Sequence, residues 1–222
     1  MEQINNIEKE AQENLKIAQI EKELAQKSKS NALIEIKKSK AREKLLKIEY
    51  QIAEIKNDLA EKRRVLAEEK TEIKKNQILD FSEEELKNEN DFAIYNEKIS
   101  KNQKEIADIN KKIASVEKQV AEQKLKLSKE KLDVAKAREK LSKKQTLYLK
   151  LTHGVTSESK IIKAKDNLEQ QKRNLIKQKN EVFEKEKDIK KKENKLAELK
   201  KELSLKFGER EKIRHPGVII AG

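Results

Sequence analysis

Residues 92–155 read FAIYNEKISKNQKEIADINKKIASVEKQVAEQKLKLSKEKLDVAKAREKLSKKQTLYLKLTHGV, and from Phe92 onward every seventh residue is apolar. The row is Phe92, Ile99, Ile106, Ile113, Val120, Leu127, Val134, Leu141, Tyr148 and Val155. In a chain with 35% hydrophobic residues, ten hits in one frame arise by chance about 3 times in 100,000, so the register is real. The position three residues on is mixed: Tyr95, Ile109, Val116, Ala137 and Leu151 share it with Asn102, Gln123, Glu130 and Lys144. Such a narrow seam belongs to a long coiled-coil helix rather than to the broad apolar face of a globular one.

Two further seams flank it. Towards the N-terminus, Ile17, Leu24, Leu45, Ile52, Leu59, Leu66 and Ile73 share one frame, with Leu45 a seam residue and Asn31 and Lys38 the polar interruptions. Ile20, Ile34, Ala41, Ile48 and Ile55 fill its companion position. Residues 26–31 (QKSKSN) are weak helix formers and predict a local fray or bend. Towards the C-terminus, Ile161, Leu168, Leu175, Val182, Ile189, Leu196 and Leu203 form a third seam with the thinnest stripe, because Gln171, Gln178, Lys185 and Lys192 occupy its companion row.

Turn signals lie between the seams. Ser82 and Glu85 form an S-x-x-E capping box, with acids in the first turn that suit the helix dipole. At residues 153–159 (HGVTSES), Gly154 suits a left-handed helix end, His153 suits the C-terminus before it, and Thr156 or Ser157 suits the next N-cap. Pro216 and Gly217 stop the last helix. The expected organisation is a coiled-coil helix over 1–79, an acidic turn at 80–91, a central helix over 82–153, a tight turn at 154–158, a third helix over 158–213 and an apolar extended tail at 214–222. The fold class is all-α: an elongated, rod-like antiparallel coiled coil of two to three long helices without a globular core. At 1.5 Å per residue the helices would be about 115, 105 and 80 Å long. Folding back within one chain and pairing of the first helix with another molecule satisfy the same seams.

Composition agrees with that class. Of 222 residues, 43% are charged and 3% aromatic, and four Gly and one Pro supply few chain reversals. The absence of Cys excludes disulfides and thiolate metal sites. No stretch approaches the ~20 apolar residues of a membrane span, and MEQINNIEKEAQ lacks the form of a secretory signal. A cytoplasmic location is expected, although signal-independent export would leave the sequence unchanged.

Catalysis is not expected. His153 and His215 stand far apart without Cys or carboxylate clusters, and no phosphate-cradling or zinc-binding motif occurs, so neither a catalytic residue, a cofactor nor a metal ligand is assigned. Lys and Arg against Asp and Glu give −2 over residues 1–91 and +15 over residues 92–222, together the +13 of the chain. That excess would attract phosphate, but it is mostly Lys, interleaved with acids, and lacks aromatic stacking platforms. The hexapeptide KAREKL occurs twice, at 40–45 and 136–141; chance under one heptad constraint accounts for it better than duplication. The tail GVIIAG is uncharged and β-branched, and suits docking on a partner as an added strand.

The function expected from these features is that of a non-enzymatic stalk, spacer or scaffold subunit, with protein partners in a larger complex and homo-oligomerisation as a further option. In general build, a basic helical hairpin of this kind is similar to the stalk proteins of flagellar and type III secretion ATPases and to the receptor-binding hairpins of some bacteriocins. The alternatives are a Lys-rich nucleic-acid-binding or condensing coiled coil, and an extended hairpin that contacts a receptor or a membrane surface.

Overall fold

A computed structural model describes residues 2–75, 82–154 and 156–214. The chain is all-α, with α1 at Glu2–Lys75, α2 at Glu83–His153 and α3 at Glu158–Arg214, and no strand among the described residues. Lys, Glu, Leu and Ala are strong helix formers, and intrahelical pairs such as Lys143 with Glu139 at 2.6 Å add about 0.2–0.5 kcal/mol each. Packing must supply the rest, because long polar helices are marginal alone.

The helix ends are specified locally. Ser82 and Glu85 form the reciprocal capping box, the Glu85 amide donating to Ser82 Oγ at 3.1 Å and the Ser82 amide to Glu85 Oε2 at 3.3 Å. From Glu83 the acidic segment is therefore helix, not turn. Gly154 closes α2 by donating its amide to the Lys150 carbonyl at 3.1 Å, but it does not adopt the left-handed conformation expected of it. A Cβ there would sit 3.2 Å from that same carbonyl oxygen, a tight contact that glycine avoids. Ser157 starts α3, its carbonyl accepting from the amides of Lys160 and Ile161. α1 runs unbroken through residues 26–31, where a fray or bend was expected, because Ala25 and Ala32 on either side are buried. Of the expected tail at 214–222, Arg214 is the last residue of α3, and residues 215–222, the segment 76–81 and Val155 lie outside the described residues.

Tertiary contacts divide the chain into two units, one of Met1–Lys37 with Gln119–Glu193 and one of Lys38–Lys118 with Asn194–Gly222. In the first, α1 and α2 are antiparallel neighbours: Asn14 Nδ2 donates to Gln145 Oε1 at 3.0 Å, and Ser142 Oγ to the Ala11 carbonyl at 2.7 Å. Along α2, Ala121, Ser128, Ala135, Ser142 and Leu149 are buried seven residues apart. On another side of the same helix, Val134, Ala137 and Leu141 pack on Leu168 and Leu175 of α3, with Tyr148 and Val182 at the margin. Gln171 Nε2 reaches the Ala137 carbonyl at 3.1 Å, which seats α3 against that face.

The second unit repeats the plan. Lys70 pairs with Glu89 at 2.6 Å and Lys104 with Glu54 at 3.2 Å, which sets α1 and α2 antiparallel. Leu86, Ala93 and Ala114 lie buried in one α2 row, and Ile106, Ile109, Ile113 and Val116 on another side. Asn102 Nδ2 donates to the Lys206 carbonyl at 3.2 Å, holding α3 to α2. In each unit, then, α2 is the helix that both others touch.

The seam that α1 uses inside the chain differs from the one expected. Its buried row is Ala11, Ala18, Ala25 and Ala32 in the first unit and Leu46, Ala53, Ala60 and Ala67 in the second, one residue on from the Ile17 frame. Leu45 is 56% exposed beside Leu46 at 8%. The reason is steric: alanines facing the alanines and serines of α2 let the two backbones approach closely, whereas a row of Ile and Leu would hold them apart. The central ladder is shifted at its start in the same way, with Phe92 65% exposed and Ala93 buried.

Candidate interaction surfaces

Ionic contacts between helices flank the buried rows. In the first unit Arg138 of α2 forks onto Glu21 of α1, with Nε and Nη2 both 2.9 Å from the carboxylate, while Nη1 reaches Asn14 Oδ1 at 3.3 Å. Lys131 meets Glu186 at 2.7 Å and Lys185 meets Glu130 at 3.1 Å between α2 and α3. In the second, Arg42 pairs with Glu117 and Lys118 with Glu43, each at 2.8 Å.

A groove in the second unit gathers Tyr50, Lys104, Glu105, Asp108, Lys112 and Lys206. Three of its lysines, Lys104, Lys112 and Lys206, are paired with acids where they stand. Lys206 lies 2.8 Å from Glu209 and 2.9 Å from Glu105, and these hydrogen bonds, in that order, raise its pKa. Hydrogen bonding to Glu54 raises Lys104, and hydrogen bonding to Asp108 raises Lys112. Lys111 lies over the Tyr50 ring, 4.4 Å from its centroid. Each of these shifts favours the charged form, as mutual ion pairing does.

The densest basic stretch, residues 188–195 of α3, is compensated only in part. Lys191 meets Asp188 at 3.5 Å, Lys192 donates to Gln119 at 2.8 Å, and Glu193 pairs with Lys124 at 3.2 Å. At the end of α2, exposed His153 borders a shallow depression with Ala11, Leu15, Ser142 and Leu149. His215 lies outside the described residues. Among the described residues no group of three or more His, Cys, Asp or Glu could hold a metal ion, and no helix is long and apolar enough to cross a membrane.

The strongest surface feature is the α1 seam itself. Leu45, Ile48, Ile52, Ile55 and Leu59 are all exposed, Ile55 at 67%, and Leu66 and Ile73 continue the row. In the first unit Ile17, Ile20 and Leu24 stand open in the same frame. Scattered apolar surface residues are ordinary, but an aligned row of large aliphatics is a candidate interaction surface. Searches of known proteins find no family model, no curated protein and no solved structure that matches this chain.

Sequence reasoning found this row but left open whether it packs within the chain or against another molecule, and it missed the row that α1 packs on α2. The signal was present: Ala at 11, 18, 25 and 32, and again at 53, 60 and 67, repeats every seven residues. Ranking by hydropathy hid it, because Ile and Leu outweigh Ala on any such scale, whereas close helix approach selects for small size.

Proposed function

We propose that this protein is a non-enzymatic coiled-coil subunit that serves as a spacer or scaffold in a larger assembly. The observation that carries the reading is the aligned Ile and Leu row of α1, exposed along a helix whose neighbouring, mostly alanine row is already packed. Helices of 74, 71 and 57 residues provide length; the open row provides an attachment line. The mechanism is mechanical, with position fixed by stiff helices and attachment made by knobs from a partner helix.

The test is recovery of the tagged chain from its own cells after mild crosslinking. Stoichiometric protein partners that disappear when Ile20 and Leu24, exposed members of the row in the first unit, are both changed to Lys support the reading. Recovery of the chain as an isolated species would refute it. Binding to mixed-sequence DNA that collapses between about 50 and 200 mM salt would move the assignment to the nucleic-acid alternative. The acids Asp188 and Glu193, interleaved among the lysines of residues 188–195, weigh against that alternative.

A further inference from the structure

We propose that residues 41–59 of α1 form a self-association seam on which the same segment of a second copy of this chain packs in antiparallel orientation. The segment lies wholly within the second unit. Ala41, Leu45, Ile48, Ile52, Ile55 and Leu59 alternate at spacings of three and four and are all exposed. That is the a/d pattern of a coiled coil with one helix missing.

The chain contains an internal control. KAREKL at 136–141 places Ala137 and Leu141 under α3, with Leu141 5% exposed against Leu168 and Leu175. The identical residues of the other copy, Ala41 and Leu45, are exposed and face no described helix of this chain. What covers the α2 copy is a helix bearing large aliphatics every seven residues, and the α1 row is itself such a helix.

Charge selects the second copy and its direction. In an antiparallel pair centred between Ile48 and Ile52, the layers are Ala41 with Leu59, Leu45 with Ile55, and Ile48 with Ile52, each formed twice. The flanking positions then bring Lys44 beside the second copy's Asp58, and Glu49 beside the second copy's Lys56. All four residues are exposed. Both contacts join opposite charges, so every flanking ion within the six layers gains a partner apart from Arg42, which Glu117 already holds at 2.8 Å. A parallel, in-register pair matches Lys44 with Glu49 but leaves Lys56 opposite Gln51. Lys38 and Lys62 stand in the same rows just beyond the apolar layers and close the seam at both ends.

This pairing rests on burial and charge and does not depend on the spacer reading. Mass measured by sedimentation across a roughly hundredfold range of concentration should rise from 25.9 kDa to twice that value. Ile48→Lys with Ile52→Lys should hold the chain at the single-copy mass with unchanged helical circular dichroism, since both positions are exposed. Lys44→Asp should weaken association, and adding Asp58→Lys should restore it. Because the chain has no Cys, orientation is read by oxidation of single-Cys variants: Leu45→Cys mixed with Ile55→Cys should crosslink, and neither should crosslink alone. A wild-type chain that stays at the single-copy mass, a Lys variant that still doubles, or Leu45→Cys crosslinking to itself would each overturn the proposal.

Discussion

The Ser142 hydroxyl of α2 donates to the main-chain carbonyl oxygen of Ala11 on α1 at 2.7 Å, and both residues are buried. A side chain as short as serine reaches a neighbouring helix's backbone only where the helices approach closely, and the small residues of both rows permit this. Enlarging such a residue should therefore cost more than removing the hydrogen bond. Ala135→Leu should destabilise by about 1–3 kcal/mol through overpacking, and Ser142→Ala by about 1 kcal/mol. Urea unfolding followed by circular dichroism measures both; a tolerated Ala135→Leu would show that the row is not closely packed.

Arg138 offers a second check on the same interface. Its guanidinium, with the side chain 12% exposed, engages Glu21 through two nitrogens and Asn14 through a third. Lysine carries the same charge but not the planar fork, so Arg138→Lys should not behave as a conservative change. A loss of about 1–2 kcal/mol is expected, on the scale of hydrogen bonds to charged groups. A double-mutant cycle with Glu21→Gln should assign most of it to the pair.

Leu45 and Leu46 are adjacent and chemically identical, yet they should respond oppositely to truncation. Leu46→Ala removes a buried side chain and should cost about 2–5 kcal/mol at any concentration. Leu45→Ala, at an exposed site, should change stability by less than about 0.5 kcal/mol in dilute solution. Its effect should appear only as weakened association at high concentration. Melting curves at two concentrations separate the cases.

The pH dependence follows from the ion pairs. Lys104, Lys112 and Lys206 have pKa values raised above the ordinary 10.5 by their hydrogen-bonded carboxylates. Their contribution is fully present below 10.5 and is lost as pH rises through the higher folded value. Glu139 is held below 4.5 by its hydrogen bond to Lys143, so its contribution is present above 4.5 and lost as pH falls through the lower folded value. The thermal midpoint should be flat between these limits and decline beyond both. These groups are solvent-exposed, so each step is small; Lys206→Met should flatten the alkaline limb.

Most of the architecture was legible because heptad spacing and scarce turn formers leave few alternatives. The central ladder, the Ser82 box and the Ser157 start all follow from residue type at fixed spacing. The choice between Leu45 and Leu46 was not legible, since it depends on how closely α1 and α2 approach, and that depends on alanines and serines whose hydropathy is unremarkable. The Gly154 conformation was misread for a related reason: glycine serves a close contact as readily as a left-handed turn. For the α1 surface, sequence supplied the residues and the structure supplied the fact that no described residue of the chain covers them.

Gly208 tests whether α3 is limited by its own helix propensity. It sits inside α3, and a Cβ built there meets nothing within 4 Å. Glycine in a helix interior costs about 1 kcal/mol relative to alanine, because it leaves more backbone freedom to the unfolded chain. With no clash to offset the gain, Gly208→Ala should stabilise by about that amount and raise the melting midpoint by roughly 2–4 °C for a chain of this size. The gain should be the same at low and high protein concentration, since the position lies outside the α1 seam. A lowered midpoint would indicate that the glycine accommodates a close contact with a second molecule.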